Sequence, residues 1–522
     1  MWEIVFASFV IAFTAFYLYV RHKMTFWERR GIPSDPGTFP FGSKGTWDLF
    51  SQKIAFAELT DHAYNSFPDA PLVGCYGIWG DPYIVIRDLD LAKLVLVKNF
   101  DTFIERKPLQ KNPISPHSKN NRYIQMMLTE LRGQQWKTVR SSLTPIFTSG
   151  KLKAMVPLIH KIADHCDIFL EQNIGQEIEG KELMKNFALD VIVSTGFGYE
   201  SDSINEPENM FKTNANTLLG KTMTPSIFMK FMLYMFWPSM FKWLDMDVLD
   251  RKSEDFFAAI VLKAMKDRQE SGLKRNDFID TCIDILKKEI STTDGEESTN
   301  DTQPESELKK DEVERIIIAN SLVMFLAGFD TASTAASMML YNLAKNQDYQ
   351  ERLYQEIQET MESTGSDQAD YTTIMNMTYM EQFFQESLRM YPLTHLERAS
   401  INEFKVPGTE MVIPKDVYVY FAQPAVVKDE KYFPNPKAFN PDNFSGEKKA
   451  ERHPFAYGGF GHGPRNCIAQ RFATMKVKII ISRILSKYRI VPCSKTIEEV
   501  IPDPLSLSQD PKGSIWISIE KR

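Results

Sequence analysis

Residues 460–469 read Phe460-Gly-His-Gly-Pro-Arg-Asn-Cys467-Ile-Ala469, and Gln-Arg-Phe-Ala-Thr-Met475 follows. Glycines at 458, 459, 461 and 463 strip the backbone of side chains just before Cys467. Such a run permits a tight loop with free N–H groups. A helical pattern begins near Ile468, and N–H groups with a helix N-terminus aimed at a sulfur favour its thiolate form. The bland alternative is a buried free cysteine beside a flexible loop. A zinc site is poorly supported, because neither a second Cys nor a closely spaced His pair lies nearby.

Working outward, the other four cysteines (75, 166, 282 and 493) are scattered through 522 residues. That usage opposes a secreted disulfide scaffold and favours a reducing compartment. The chain is 43% hydrophobic and 25% charged, with 25 Gly and 28 Pro. A large core is affordable, and collagen-like or largely disordered readings are excluded. The net charge of −7 leaves no basic stripe of the kind that marks a nucleic-acid partner.

Residues 4–20 are apolar or weakly polar, broken only by Ser8 and Thr14. As a helix they reach about 26 Å, enough for a thin bilayer. Trp2 stands at one end and Tyr17 and Tyr19 at the other, where amphipathic rings favour headgroups. Glu3 precedes the run, while Arg21, His22, Lys23, Arg29 and Arg30 follow it, so the rest of the chain is expected on the cytoplasmic side. A cleaved signal peptide would carry its basic residues first and end at a small-x-small site, and neither feature is present. The segment Gly31-Ile-Pro-Ser-Asp-Pro-Gly-Thr-Phe-Pro-Phe-Gly42 then reads as a stiff, turn-rich hinge. The expected organisation is an anchor over 1–22, a hinge over 23–42 and one catalytic body over 43–522.

Within that body, residues 72–96 hold short β-branched and aromatic runs, Tyr83-Ile-Val-Ile86 among them. From about 151 to 346 the apolar spacing is helical. Strand patterns return at Glu410-Met-Val-Ile413, Asp416-Val-Tyr-Val-Tyr420 and Ser514-Ile-Trp-Ile-Ser-Ile519. Helices in the middle and strands at both ends predict an α+β, mainly α, fold. Residues 291–310 lack aromatic side chains and are expected as a solvated loop. Residues 227–237 are apolar except Lys230, and are either a core helix or an interfacial patch.

The spacing Phe460-x-x-Gly463-x-Arg465-x-Cys467 is similar to the haem-binding signature of the cytochrome P450 family. With this composition, the four fixed residues would meet by accident in about one chain in a thousand. The resemblance implies a P450 fold of helices and small sheets around haem b, with Cys467 as the axial iron ligand and Phe460 and Arg465 beside the cofactor. The last signature position, usually Gly, is Ala469 here, the smallest replacement.

Companion motifs occur in the family's order. Glu386-Ser-Leu-Arg389 places opposite charges on one helix face. It resembles the family's structural Glu-x-x-Arg, whose third partner is an Arg in Pro-x-Arg-Phe. This chain has Pro441-Asp-Asn443-Phe444, so Asn443 can hydrogen-bond but cannot supply the charge. Ala327-Gly-Phe-Asp330-Thr331 lies in a long apolar helix expected over about 312–345. Gly costs about 1 kcal/mol there relative to Ala. Close packing with a back-bonded Thr explains it as well as function does. In the family pattern this helix crosses the oxygen face of the haem, and a local distortion lets Asp330 and Thr331 deliver protons. Ala332 stands where many relatives have Thr or Ser. Trp136-Lys-Thr-Val-Arg140 resembles the Trp-x-x-x-Arg helix that meets a haem propionate, and Arg398 and Arg106 fall where relatives supply further propionate ligands. The Phe147-Thr-Ser-Gly-Lys-Leu-Lys153 neighbourhood looks like the animal, vertebrate drug-oxidising branch.

The resemblance implies a monooxygenase that uses dioxygen on a hydrophobic small molecule at the endoplasmic reticulum membrane, its catalytic body cytoplasmic. No flavin or nicotinamide fingerprint is visible. Electrons are therefore expected from NADPH–cytochrome P450 reductase, with cytochrome b5 as an additional donor. Lys137, Lys151, Lys153, Lys476 and Lys478 form the expected dock, or a plain solvated face. Two rivals stay open: a reductase-independent isomerase or dehydratase, and a non-catalytic haem-binding sensor. Residues 109–126, 211–241, 394–398 and 505–508 are the expected pocket walls, hydrophobic but silent on which ligand they take.

Overall fold

The computed structural model describes residues 2–106, 123–206, 208–219, 246–275, 277–293, 304–365, 368–393, 396–506 and 509–522, with single positions 230, 233, 240, 243 and 244. The strands are β1 Leu72–Tyr76, β2 Pro82–Ile86, β3 Ile178–Glu179, β4 Leu396–Ala399, β5 Phe404–Lys405, β6 Val412–Ile413, β7 Tyr418–Phe421, β8 Tyr488–Val491 and β9 Trp516–Lys521. The helices that carry the argument are α1 Trp2–Lys23, α2 Gly133–Leu143, α3 Ser149–Gln172, α4 Gly180–Ile192, α5 Arg251–Ser271, α6 Phe278–Thr293, α7 Pro304–Lys345, α8 Gln347–Thr364, α9 Thr378–Met390 and α10 Gln470–Lys487. The α+β, mainly helical reading holds.

Two compact units divide the chain. The first comprises Met1–Lys107, Leu388–Cys467 and Ile501–Lys512. Its four-stranded sheet runs β1-β2-β7-β4, with β2 and β7 parallel and the other pairs antiparallel. Both faces are covered, so β1 is buried at every position and reads as a continuous apolar run rather than an alternating one. Strand starts differ from expectation by about two residues. Asp416 has φ of +61° and turns the chain, so β7 opens only at Tyr418.

The stretch expected as a hinge is built into this unit. Trp27 is fully buried, and its indole N–H donates to the Cys75 carbonyl at 2.9 Å. A Cβ on Gly74 would lie 2.3 Å from the Trp27 ring, so β1 makes room for the indole at a glycine. The Asp35 N–H donates to the Gly74 carbonyl at 2.9 Å, extending the sheet edge. The end of α1 docks on the β1–β2 connection: Val20 is fully buried, Phe16 meets Trp79 at 5.4 Å and Lys23 pairs with Asp81 at 2.7 Å. Earlier residues of α1 are exposed, and the helix is long and apolar enough to cross a membrane.

The second unit comprises Pro108–Ser387, Ile468–Val500 and Gly513–Arg522. Here α7, 42 residues long, packs most extensively against α4 and also meets α5, α6 and α10. It too is long and apolar enough to span a membrane, but its apolar window is more than half buried inside the protein. The sheet β3-β9-β8 closes the unit's edge. The solvated loop expected over 291–310 is overturned at both of its ends. Residues 291–293 complete α6, and α7 opens at Pro304, a residue pre-set for a first helical position. Residues 294–303 lie outside the described ones.

Candidate functional site

In the first unit the cysteine loop is tightly knotted by its own backbone. The Gly461 N–H donates to the Gly458 carbonyl at 2.8 Å, Asn466 N–H to Gly463 at 3.0 Å, and Cys467 N–H to Phe460 at 2.8 Å. Gly461 and Gly463 have φ of +77° and +72°, values that L side chains rarely adopt. At Gly463 a Cβ would also fall 2.1 Å from the Leu96 carbonyl oxygen. The glycines thus permit the tight loop their spacing predicted, but the N–H groups of Gly461, Asn466 and Cys467, expected to be free, are taken up by the loop's own carbonyls. Cys467 is exposed, whereas Cys75, Cys166 and Cys282 are buried, and burial pushes those three thiols up.

Three expected arginines converge beside this loop. Arg465 is buried, and its Nε donates to the Ile104 carbonyl at 2.9 Å. Arg106 Nη2 donates to the Arg465 carbonyl at 3.0 Å. Arg398, only 1% exposed, donates through Nη1 to the Glu397 carbonyl at 2.6 Å and through Nη2 to the His462 carbonyl at 3.3 Å. Its buried Nε has no partner among the described residues. Burial, then the charges of Arg106 and Arg465, pull the Arg398 pKa down to about 9. Crowded guanidiniums with a spare buried donor are suited to an incoming carboxylate. His462, not singled out in the sequence, is held neutral, its pKa pushed down to about 4 chiefly by burial.

The Glu-x-x-Arg pair on α9 is wholly internal, Glu386 0% and Arg389 2% exposed. Arg389 Nη1 donates to the Val427 and Pro436 carbonyls at 3.0 and 2.9 Å. Asn443 is buried, and its carbonyl accepts from Arg452. The Arg452 guanidinium lies 4.0 Å from the Phe433 ring centroid, and Arg389 lies 5.2 Å from the same ring. Arg452 therefore brings to this locality the charge that Asn443 lacks. No motif in the sequence marked it.

In the second unit, Thr331 on α7 donates to the Ala327 carbonyl at 2.6 Å, leaving its oxygen free to accept. Asp330 is 3.8 Å from Lys181 of α4, which also donates to Thr334. A Cβ on Gly328 would sit 2.9 Å from Ile192 of α4. Close packing and back-bonding, the bland explanation of this motif, are thus both present, and α7 runs unbroken through it. On α2, Trp136 is buried and Arg140 half-buried one turn later.

The expected docking face needs correction. Lys137 and Lys153 are exposed and Lys151 is half-buried, but Lys476 and Lys478 are 1% and 0% exposed. Lys478 pairs with Glu381 at 2.9 Å, and Lys476 reaches a carbonyl of α7. Both face the interior of their unit because α10 is buried on nearly all sides. Of the expected pocket walls, residues 109–122, most of 220–241, 394–395 and 507–508 lie outside the described residues, as does most of the 227–237 stretch.

With this geometry in place, comparison with known proteins is decisive for the class. The Cytochrome P450 family model matches residues 70–517, and the chain belongs to that family. It is a P450 monooxygenase, an oxidoreductase that binds haem b. Among its relatives, cytochrome P450 6a2 of Drosophila melanogaster is 32% identical, over 98% of this chain and 98% of that protein. Cytochrome P450 6B7 of Helicoverpa armigera is 30% identical over 97% and 96%, and probable cytochrome P450 9f2 of Drosophila melanogaster 32% over the full length of both. These are insect proteins, so the animal likeness is not specifically a vertebrate one.

Proposed function

We propose that the Cys467 thiolate would hold the iron of haem b and that Arg106, Arg398 and Arg465, with Trp136 and Arg140, would hold its carboxylates. The observation that carries this is the exposed thiol at the end of a glycine loop beside the crowded Arg106, Arg398 and Arg465 guanidiniums, one of which keeps a buried N–H without a partner among the described residues. Bound haem supplies the reductive activation of dioxygen. The chain's own part is to exclude water, orient a hydrophobic substrate and deliver protons. Thr331, its hydroxyl hydrogen committed to Ala327, accepts from a water at Oγ1. Asp330, near Lys181 and partly solvent-exposed, relays protons to that water from outside. Phe460 and the buried Glu386–Arg389 pair with Asn443 support the loop.

Electrons come from NADPH–cytochrome P450 reductase, with cytochrome b5 as a second donor, through a surface bearing Lys137, Lys151 and Lys153. The apolar α1 holds the protein in the endoplasmic reticulum membrane, its basic end leaving the catalytic part cytoplasmic.

Reconstitution with reductase, NADPH and a panel of lipids, sterols and drug-like compounds tests the reading. Cys467→Ser should abolish the red-shifted carbonyl spectrum of the reduced protein. Thr331→Ala should keep that spectrum but lower product per NADPH, since positioned proton donors contribute about 10²–10⁴-fold. A peroxide isomerase would turn over without NADPH, and a sensor would form no product. Unchanged product per NADPH in Thr331→Ala would remove the proton-delivery role.

A further inference from the structure

Lys476 does different work from the surface role its charge first indicated. It is 1% exposed, and from α10 its Nζ donates to the Gly328 carbonyl in the middle of α7 at 2.6 Å. The same ammonium lies 5.1 Å from the centroid of the Phe472 ring. Burying an ammonium is costly unless its donors are satisfied, so a bond of this length from a sealed lysine is a built contact and not a surface accident.

The acceptor is the informative part. Within a helix, the carbonyl of residue 328 faces the N–H of residue 332, and a carbonyl oxygen has a second lone pair for an outside donor. Side chains that enter the ladder in this way are a recognised cause of local helix bending. One residue earlier, the Ala327 carbonyl takes the Thr331 hydroxyl at 2.6 Å. Two successive carbonyls of α7 are therefore tied by side chains, one from α7 itself and one from α10. On the side facing α4, Ile192 closes on Gly328 and Lys181 stands 3.8 Å from Asp330. The turn that carries Asp330 and Thr331 is fastened from α4 and from α10, and Lys476 is the fastening that acts on the backbone.

We propose that Lys476 is a positioning residue. By holding the Gly328 carbonyl it fixes the turn of α7 on which Asp330 and Thr331 sit, and so sets how well electron delivery is coupled to product. This rests on the proton-delivery role given to those two residues above.

The test compares full-length holoenzyme with Lys476→Met, which fills similar space without a donor, and Lys476→Arg, which restores a charged one. Hydrogen–deuterium exchange read by mass spectrometry over residues 325–336 is the primary measurement. In Lys476→Met the amides of 331–333 should exchange about ten-fold faster, as expected for one lost bond to a charged donor. The flanking turns of α7 should be unchanged and haem content kept. Product per NADPH should fall, and Lys476→Arg should bring both readouts back toward wild type. If the methionine variant does not load haem, Lys476→Leu takes its place. Unchanged exchange over 325–336, or an even rise along the whole of α7 and α10, overturns the inference. Thr331→Ala run alongside separates the two claims. Lost coupling there, with no local change in the lysine variant, removes Lys476 alone. Indifference to Thr331→Ala removes the proton-delivery reading, while exchange still decides whether Lys476 holds the turn.

Discussion

Arg398 has its guanidinium sealed from water beside two more guanidiniums, with one N–H left unbonded among the described residues. Its free pKa of about 9 gives a signed expectation. A carboxylate partner favours the charged form and raises that pKa, so above pH 9 cofactor binding must be accompanied by proton uptake. Haem retention should then weaken as pH rises from about 9 to 10.5, and this slope should be absent in Arg398→Met. At pH 7.5 that variant should lose haem about 10- to 100-fold faster, the worth of a charge-assisted bond, with Arg398→Lys intermediate because lysine lacks the planar fork. Haem transfer to an excess of a scavenging apoprotein measures both effects. Equal transfer rates at every pH would make Arg398 a purely structural cation. The cysteine loop was legible because Gly461 and Gly463 act through their own backbone. Lys476 was misread because a lysine's identity states a preference for water, while its burial depends on the α7 carbonyl it meets.

At the scale of elements, the short 3-10 helix Pro441–Phe444 and the helix Gly446–Glu451 together bring Arg452 back over Phe433 and Phe444, at 4.0 and 4.9 Å. A guanidinium from nine residues downstream thus reaches the backbone carbonyl of Asn443, a relation that no local pattern encodes. Arg452→Met should lower unfolding free energy by about 1–3 kcal/mol, from the lost charged hydrogen bond and ring contacts. Asn443→Arg should stabilise the Arg452→Met protein more than the wild type, since only there is the space for a guanidinium open. A double-mutant cycle in urea checks this, and additivity would show the two positions to be independent. Long elements were easier to read from sequence than short ones. The end of α7 at Lys345 follows from its apolar period, whereas β5 and β6, two residues each, are defined by pairing with one another.

At the scale of the whole chain, the question is where membrane anchor ends and catalytic protein begins. Composition draws the line near residue 22, where apolar residues give way to basic ones and then to Pro and Gly. Packing draws it earlier. Phe16 and Tyr17 already touch Trp79 and Phe39, Val20 and Trp27 are fully buried, and Trp27 fills the gap that Gly74 leaves in β1. A tryptophan signals an interfacial ring or a core ring equally well, so sequence could not choose between them. The two boundaries predict different outcomes for two truncations. Removing residues 1–15 deletes most of the exposed apolar helix and leaves the docked turn, so membrane association should fall while haem content and thermal midpoint hold. Removing residues 1–30 also takes Val20, Met24 and Trp27 from the first unit's core. Large-to-small loss of a buried tryptophan alone costs about 3–5 kcal/mol, a large share of the ~5–15 kcal/mol that keeps a protein folded. The longer truncation should therefore show a lower thermal midpoint and reduced haem incorporation. Trp27→Ala in the full-length chain should reproduce the stability loss without the loss of membrane binding. Membrane flotation, thermal melts and the carbonyl spectrum measure the three effects separately. Equal stability of the two truncations would place the boundary back at the hinge.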